Sequence, residues 1–148
     1  MTTSFEATGG CLCGAVAYRV TAPAKSLEHC HCSKCRRAHG ALTAAGALVD
    51  AEHFEVVRGR EALVSFTSTP GNHRWFCGRC GCHIYMSVDD IPAELYYWAG
   101  SLDDGMAPGH PTEKECHIFM GSKACWDRLD DALPAHDGLP EGIGPGKA

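Results

Sequence analysis

Seven of the ten cysteines in this 148-residue chain fall at metal-ligand spacing: Cys11-x-Cys13, then Cys30-x-Cys32-x-x-Cys35, then Cys77-x-x-Cys80. Thiolates one or two residues apart can converge on one ion, and Zn–S bonds of ~2.3 Å in a tetrahedron are the geometry that structural zinc takes. The groups sit among Gly9, Gly10, Gly14, Gly78 and Gly81, where backbone can turn tightly and aim N–H groups at sulfur. Seven ligands do not close two four-ligand sites. One partition joins Cys11, Cys13, Cys77 and Cys80 into a closed structural site and leaves Cys30, Cys32 and Cys35 as a three-thiolate site with an open position. The alternative fills that opening with Cys82, His31, His39 or His83 and makes both zincs structural. His39 falls four residues after Cys35, on the same face if the segment is helical. Cys82, Cys116 and Cys125 read as small buried apolar residues.

An open zinc with three negative ligands is a weak Lewis acid, poorly suited to a hydroxide mechanism and better suited to a soft exogenous thiol. Zinc would hold that thiol deprotonated at neutral pH. Such a site could prepare a small thiol to attack an electrophile such as an aldehyde.

The elements that must position these groups read as short strands. Val16, Tyr18 and Val20 alternate with their neighbours, as do Ala62, Val64 and Phe66, and Ile84, Met86 and Val88, giving half-buried strands. Leu95 to Ala99 and His117 to Met120 add β-rich runs, with weaker candidates at Ala41 to Val49 and Phe54 to Val57. One helix is expected over Lys34 to His39, capped by Ser33 and closed by Gly40 in a left-handed conformation. The fold class is mainly β, in one domain over residues 1–135. From His136 the run HDGLPEGIGPGKA is Gly- and Pro-rich and is expected to be a loose tail over 136–148.

Composition narrows the function. Ten Cys approach the ~8–10% of a secreted disulfide scaffold, but the start MTTSFEATGG shows no signal-peptide pattern, so a reduced, cytoplasmic protein is expected. No run reaches the ~18 apolar residues of a membrane span. A net charge of -5 disfavours nucleic acid, the only basic cluster being Lys34, Arg36 and Arg37. The acid pairs Asp89–Asp90, Asp103–Asp104 and Asp130–Asp131 read as solvated turns.

The motifs GGCLCGAVAY, CHCSKCRRAHG, FCGRCGCHIY and HIFMGSKACW, spread over Gly9 to Leu133, resemble the glutathione-dependent formaldehyde-activating enzyme family, whose domain is shared with centromere protein V. The resemblance implies a β-tent-like fold of small antiparallel sheets, a structural zinc on Cys11, Cys13, Cys77 and Cys80, and a catalytic zinc on Cys30, Cys32 and Cys35. It implies a carbon–sulfur lyase reaction run in reverse, the addition of glutathione to formaldehyde. The alternative is a non-catalytic zinc module that binds a protein partner. Anionic glutathione needs cationic contacts, and Lys123 and Arg36 are expected to supply them, with Arg37 and Arg74 as further candidates. Lys123 lies beside Trp126, a possible flat wall whose plainer reading is core.

Overall fold

The computed structural model describes residues 4–145, built from ten strands, one α-helix and several 3-10 turns. Strands β1 (Ala7–Gly10), β2 (Ala17–Val20) and β5 (Phe54–Arg58) form a small antiparallel sheet in the order β1-β2-β5. The other seven are β3 (Ser26–Cys30), β4 (Ala44–Asp50), β6 (Leu63–Thr69), β7 (Asn72–Cys77), β8 (His83–Val88), β9 (Glu94–Trp98) and β10 (Glu115–Ile118). They pair in the order β10-β3-β4-β9-β8-β7-β6, with only β10 and β3 parallel. The mainly β class is as the alternation implies. No helix among the described residues is long and apolar enough to cross a membrane.

Burial follows position in the sheet. β9 is buried at all five residues and β4 at five of seven, because central strands covered on both faces lose the polar alternation of an open sheet. The main core gathers Val16, Tyr18, Val20, Val49, Ile84 and Tyr97 between the two sheets, where Phe54 packs on the rings of Tyr18, Tyr97 and Tyr85. A second, smaller core holds Cys30, Cys35, Ala44, Trp98, Cys116 and Ile118.

Three expectations change. β6 is an edge strand, so Val64 and Phe66 lie exposed where alternation implied a half-buried face. Trp126 is 69% exposed, not core, and Cys125 is exposed with it; their loop turns Ala124 and Asp127 inward instead. Cys116 is buried as expected, and Cys82 is half-buried against the main core. The segment after His136 is hydrogen-bonded at its start: His117 N–H donates to Pro134 O, His136 N–H donates to His117 O, and Met120 N–H donates to His136 O. The last three residues of the expected tail, 146–148, lie outside the described residues.

Candidate metal centres

The first cluster is held by two tight turns. Cys11 directly follows β1 and its N–H donates to Val16 O, while Cys77 ends β7 and its N–H donates to Cys82 O. Cys13 and Cys80 ride on those turns, so the four sulfurs meet where the small sheet abuts the large one. Cys11 Sγ and Cys13 Sγ are 3.6 Å apart, and Cys13 Sγ and Cys77 Sγ are 3.8 Å apart. Bonds of ~2.3 Å to a tetrahedral ion would set sulfurs about 3.8 Å apart, so the four fit a zinc cage. A disulfide needs ~2.05 Å, and all ten cysteines are free thiols. Val16 N–H donates to Cys11 Sγ at 3.2 Å, the kind of contact that steadies a thiolate ligand. Backbone N–H groups of Cys82 and Cys13 draw the Cys80 thiol down to about 6.

The second cluster is local. Cys30 is the last residue of β3, Cys32 caps α1 (Ser33–His39), and Cys35 lies within that helix's first turn. The cap is therefore Cys32, not Ser33: Cys32 Sγ accepts from Cys35 N–H at 3.3 Å. Gly40 closes the helix at φ 58°, as expected. Sharing protons with Cys30 and Cys35 draws Cys32 down to about 2, helped by the N–H groups of Cys35 and Lys34. Cys30 is pushed up by the same sharing, chiefly with Cys32, and by burial. Three sulfurs within 4.8 Å of one another repel as thiolates unless a cation lies among them.

Among the described residues no fourth Cys, His, Asp or Glu side chain joins this group. His31 is 1% exposed and faces the other way, with Nε2 2.8 Å from His117 Nδ1 and Nδ1 3.1 Å from Asp127 Oδ2. The rings of His39 and His83 lie in tilted contact, 4.6 Å between centroids, and His39 packs edge-on to Trp98. Burial, the charge of His83 and that of Arg74 lower His39 to about 4. Cys82 sits with the first cluster, its Sγ directed at His83 O.

The three sulfurs open onto a cavity of about 380 Å³ with mostly apolar walls, among them Met86, Tyr96, Trp98 and Ile118. Two buried charged groups face it. Arg74 on β7 is 5% exposed, with Nη2 3.5 Å from Cys35 Sγ and Nε and Nη1 without partners. Glu28 on β3 is 1% exposed and raised to about 6 by burial, partly offset by hydrogen bonds from Ser26 and Tyr96. Glu28 carries no signal in the sequence, and no motif in the sequence places Arg74, a candidate cationic contact, in a buried position beside Cys35. The one signal for Arg74 is its place three residues before Cys77, within a strand. Arg36 and Lys123 do not line this cavity or the one beside it: Arg36 spends its guanidinium on His31 O and Ser122 O, and Lys123 is exposed. Leu139 and Pro145, from the segment expected to be loose, help line the cavity over the cysteines.

Each cluster could hold a metal ion, and an all-thiolate donor set is compatible with zinc. The chain is similar to a solved Rhodobacter sphaeroides protein, with TM-score 0.54 and 28% identity over 68% of this chain and 91% of that one. A Halomonas elongata protein named "Putative glutathione-dependent formaldehyde-activating enzyme" is 29% identical over 129 residues, 82% of this chain and 80% of the relative. The family model described as glutathione-dependent formaldehyde-activating enzyme matches residues 6–122, a span that takes in both cysteine clusters. Most of the described chain lies inside that match, and the protein belongs to the glutathione-dependent formaldehyde-activating enzyme family.

Proposed function

We propose that the protein is a zinc-dependent enzyme of carbon–sulfur lyase type that adds a small thiol, glutathione, reversibly to formaldehyde. The observation that carries the reading is the contrast in ligand number: four cysteines close one cluster, and three face a cavity at the other. Cys11, Cys13, Cys77 and Cys80 would hold a structural zinc, and Cys30, Cys32 and Cys35 the catalytic one. Cys30, Cys32 and Cys35 would hold that zinc, which when bound would supply a soft Lewis acid that keeps a substrate thiol deprotonated at neutral pH. The substrate sulfur then attacks the carbonyl carbon, the carbonyl electron pair moves to oxygen, and that oxygen takes a proton as the thiol's own proton is released. No oxidant or further reactant is required.

The chain's own residues position and shield. Arg74 sets a positive charge beside Cys35, which offsets the excess negative charge of three thiolates. Trp98, Met86 and Ile118 keep water from the reacting atoms. Glu28 offers a buried oxygen without a partner to a polar group in the cavity. A chemistry of free thiols belongs to a reducing compartment, which for this reading is the cytoplasm.

Two measurements test the proposal. Protein purified without added metal should carry about two zinc per chain. Exchange NMR on glutathione with labelled formaldehyde should show faster exchange between free and hydroxymethylated thiol than without protein. A single zinc, or no acceleration with several thiols, removes the enzyme; two tight zincs without acceleration would instead mark a zinc module for a protein partner.

A further inference from the structure

The large sheet ends on β10, and the chain that follows returns along that free edge. Ala135 bridges to His117 in parallel, His117 N–H donates to Pro134 O, His136 N–H to His117 O, and Met120 N–H to His136 O. His117 Nε2 lies 2.9 Å from Asp131 Oδ2, a side-chain tie at the same place. Backbone groups that an edge strand leaves unpaired are thus satisfied as far as Gly138, whose carbonyl accepts from Phe119 N–H at 3.3 Å.

Beyond Gly138 the attachment changes in kind. Among the described residues no hydrogen bond joins 139–145 to the rest of the chain, and the bond from Ile143 N–H to Pro140 O is internal to the segment. What holds it is apolar contact. Leu139 and Pro145 line the cavity at Cys30, Cys32 and Cys35, and Ile143 packs on the small core that includes Cys30 and Cys35. Leu139 is fixed in turn by the loop itself: Gly144 takes φ 106°, and a Cβ there would lie 2.7 Å from Leu139 Cδ2. Leu139 is nevertheless 45% exposed, so it stands at the border of cavity and solvent. Phe119 lines the same cavity and is the one non-glycine residue with positive φ among those described, at 56°. Backbone strain of this kind persists where surrounding contacts fix it, and here it falls where the segment is anchored to the cavity rim. This wall is built by chain outside residues 6–122 of the family domain.

We infer that residues 139–145 are a lid hinged at Gly138, and that Leu139 sets how bulky a molecule reaches the three cysteines. A segment held only by partly buried apolar side chains opens without breaking a hydrogen bond, so the closed state is favoured by a modest factor and small molecules pass more readily than large ones. The inference goes beyond the thiol reading and does not depend on it, because the lid covers the same sulfurs whatever reaction they serve.

The test labels the full chain, as purified with its metal, with iodoacetamide and with its bulky fluorescein derivative, and reads each cysteine by peptide mass spectrometry. Exposed Cys125 is the internal reference. The ratio of bulky to small labelling at Cys30, Cys32 and Cys35, divided by that at Cys125, cancels thiol reactivity and protection by metal. This ratio should lie well below one in the parent and rise about tenfold when the chain is cut after Asp137, as expected for loss of two partly buried apolar side chains. Leu139→Ala should raise it several-fold, and so should Gly144→Ala, which displaces Leu139 without removing it. Melting temperatures of the two point variants close to the parent's separate opening from unfolding, and these variants decide the matter if the truncated chain does not fold. A parent ratio near one, or a ratio unchanged in both Leu139→Ala and Gly144→Ala, overturns the lid. Size discrimination without any thiol exchange with formaldehyde keeps the lid and removes the enzyme. Exchange by a parent that shows no size discrimination does the reverse.

Discussion

The two cysteine clusters are assembled from opposite kinds of chain segment. Cys11 and Cys13 meet Cys77 and Cys80 across more than sixty residues of sequence, and the meeting point joins two sheets. Cys30, Cys32 and Cys35 come from six consecutive residues at a strand-to-helix junction that β4 and β10 already fix on either side. A long loop closed by an ion constrains the unfolded chain strongly, whereas a six-residue loop constrains it little. On the proposed reading the first cluster serves the fold, and the second can lack a fourth ligand without loosening it.

Single serines should separate these roles with the largest effect available. Structural zinc contributes on the order of 10 kcal/mol, comparable to the whole stability of a domain this size. Cys77→Ser is expected to abolish cooperative unfolding and retain at most one zinc per chain. Cys32→Ser should melt within several degrees of the parent, lose the second zinc and lose thiol exchange. Equal collapse of both variants in a thermal melt would mean that both clusters are structural.

Gly59 offers a gentler break of the first region. It has φ 76°, and a Cβ there would lie 1.9 Å from Ala15 O, inside the turn that carries Cys11 and Cys13. Left-handed strain and backbone overlap together predict a loss of roughly 3 kcal/mol or more for Gly59→Ala. Chemical denaturation should show it as a lower midpoint, and chelator should strip the first zinc faster. A midpoint within error of the parent would show that this turn yields freely.

The second region has its own acid sensitivity. His39 is held to about 4 by burial, then by His83 and Arg74, against an ordinary value near 6.5. Between those values the unfolded chain binds the proton first, so this contribution is full above about pH 6.5 and is lost as pH falls toward 4. The change is about 2 kcal/mol after discounting for partial exposure of the ring. In His39→Phe that part of the pH dependence should vanish. Stability curves from pH 7 to pH 4.5 compare the two proteins, and parallel curves would remove His39 as the cause.

Much of this contrast was readable from spacing alone, since ligand spacing is a local property. Both cysteine groups form as expected, and so do α1 and its closure at Gly40. What local pattern could not supply was which strands would be neighbours. Glu28, Arg74, Met86 and Trp98 share one cavity because the sheet runs β3-β4-β9-β8-β7. For the same reason Phe66 alternates like a half-buried residue yet lies on an edge, and Trp126 looks like core yet is exposed. Lys123 and Arg36 lie close to the motifs in sequence, and that closeness does not bring them to the cavity beside the three cysteines.

Gly40 gives the finest comparison with Gly59. It too is left-handed, at φ 58° and ψ 37°, and its N–H donates to Arg36 O at the end of α1. A Cβ there would meet nothing within 4 Å, so Gly40→Ala adds conformational strain and no overlap. The expected cost is about 1 kcal/mol, against roughly three times that at Gly59. Asn tolerates this conformation better, so Gly40→Asn should recover part of the loss. Zinc content and glutathione affinity should match the parent in both variants, because Cys32 and Cys35 lie in the first turn and the strain falls beyond the last. A loss at Gly40 as large as that at Gly59, or loss of the second zinc, would mean that the three-cysteine segment depends on its whole helix as tightly as the four-cysteine cage depends on its turns.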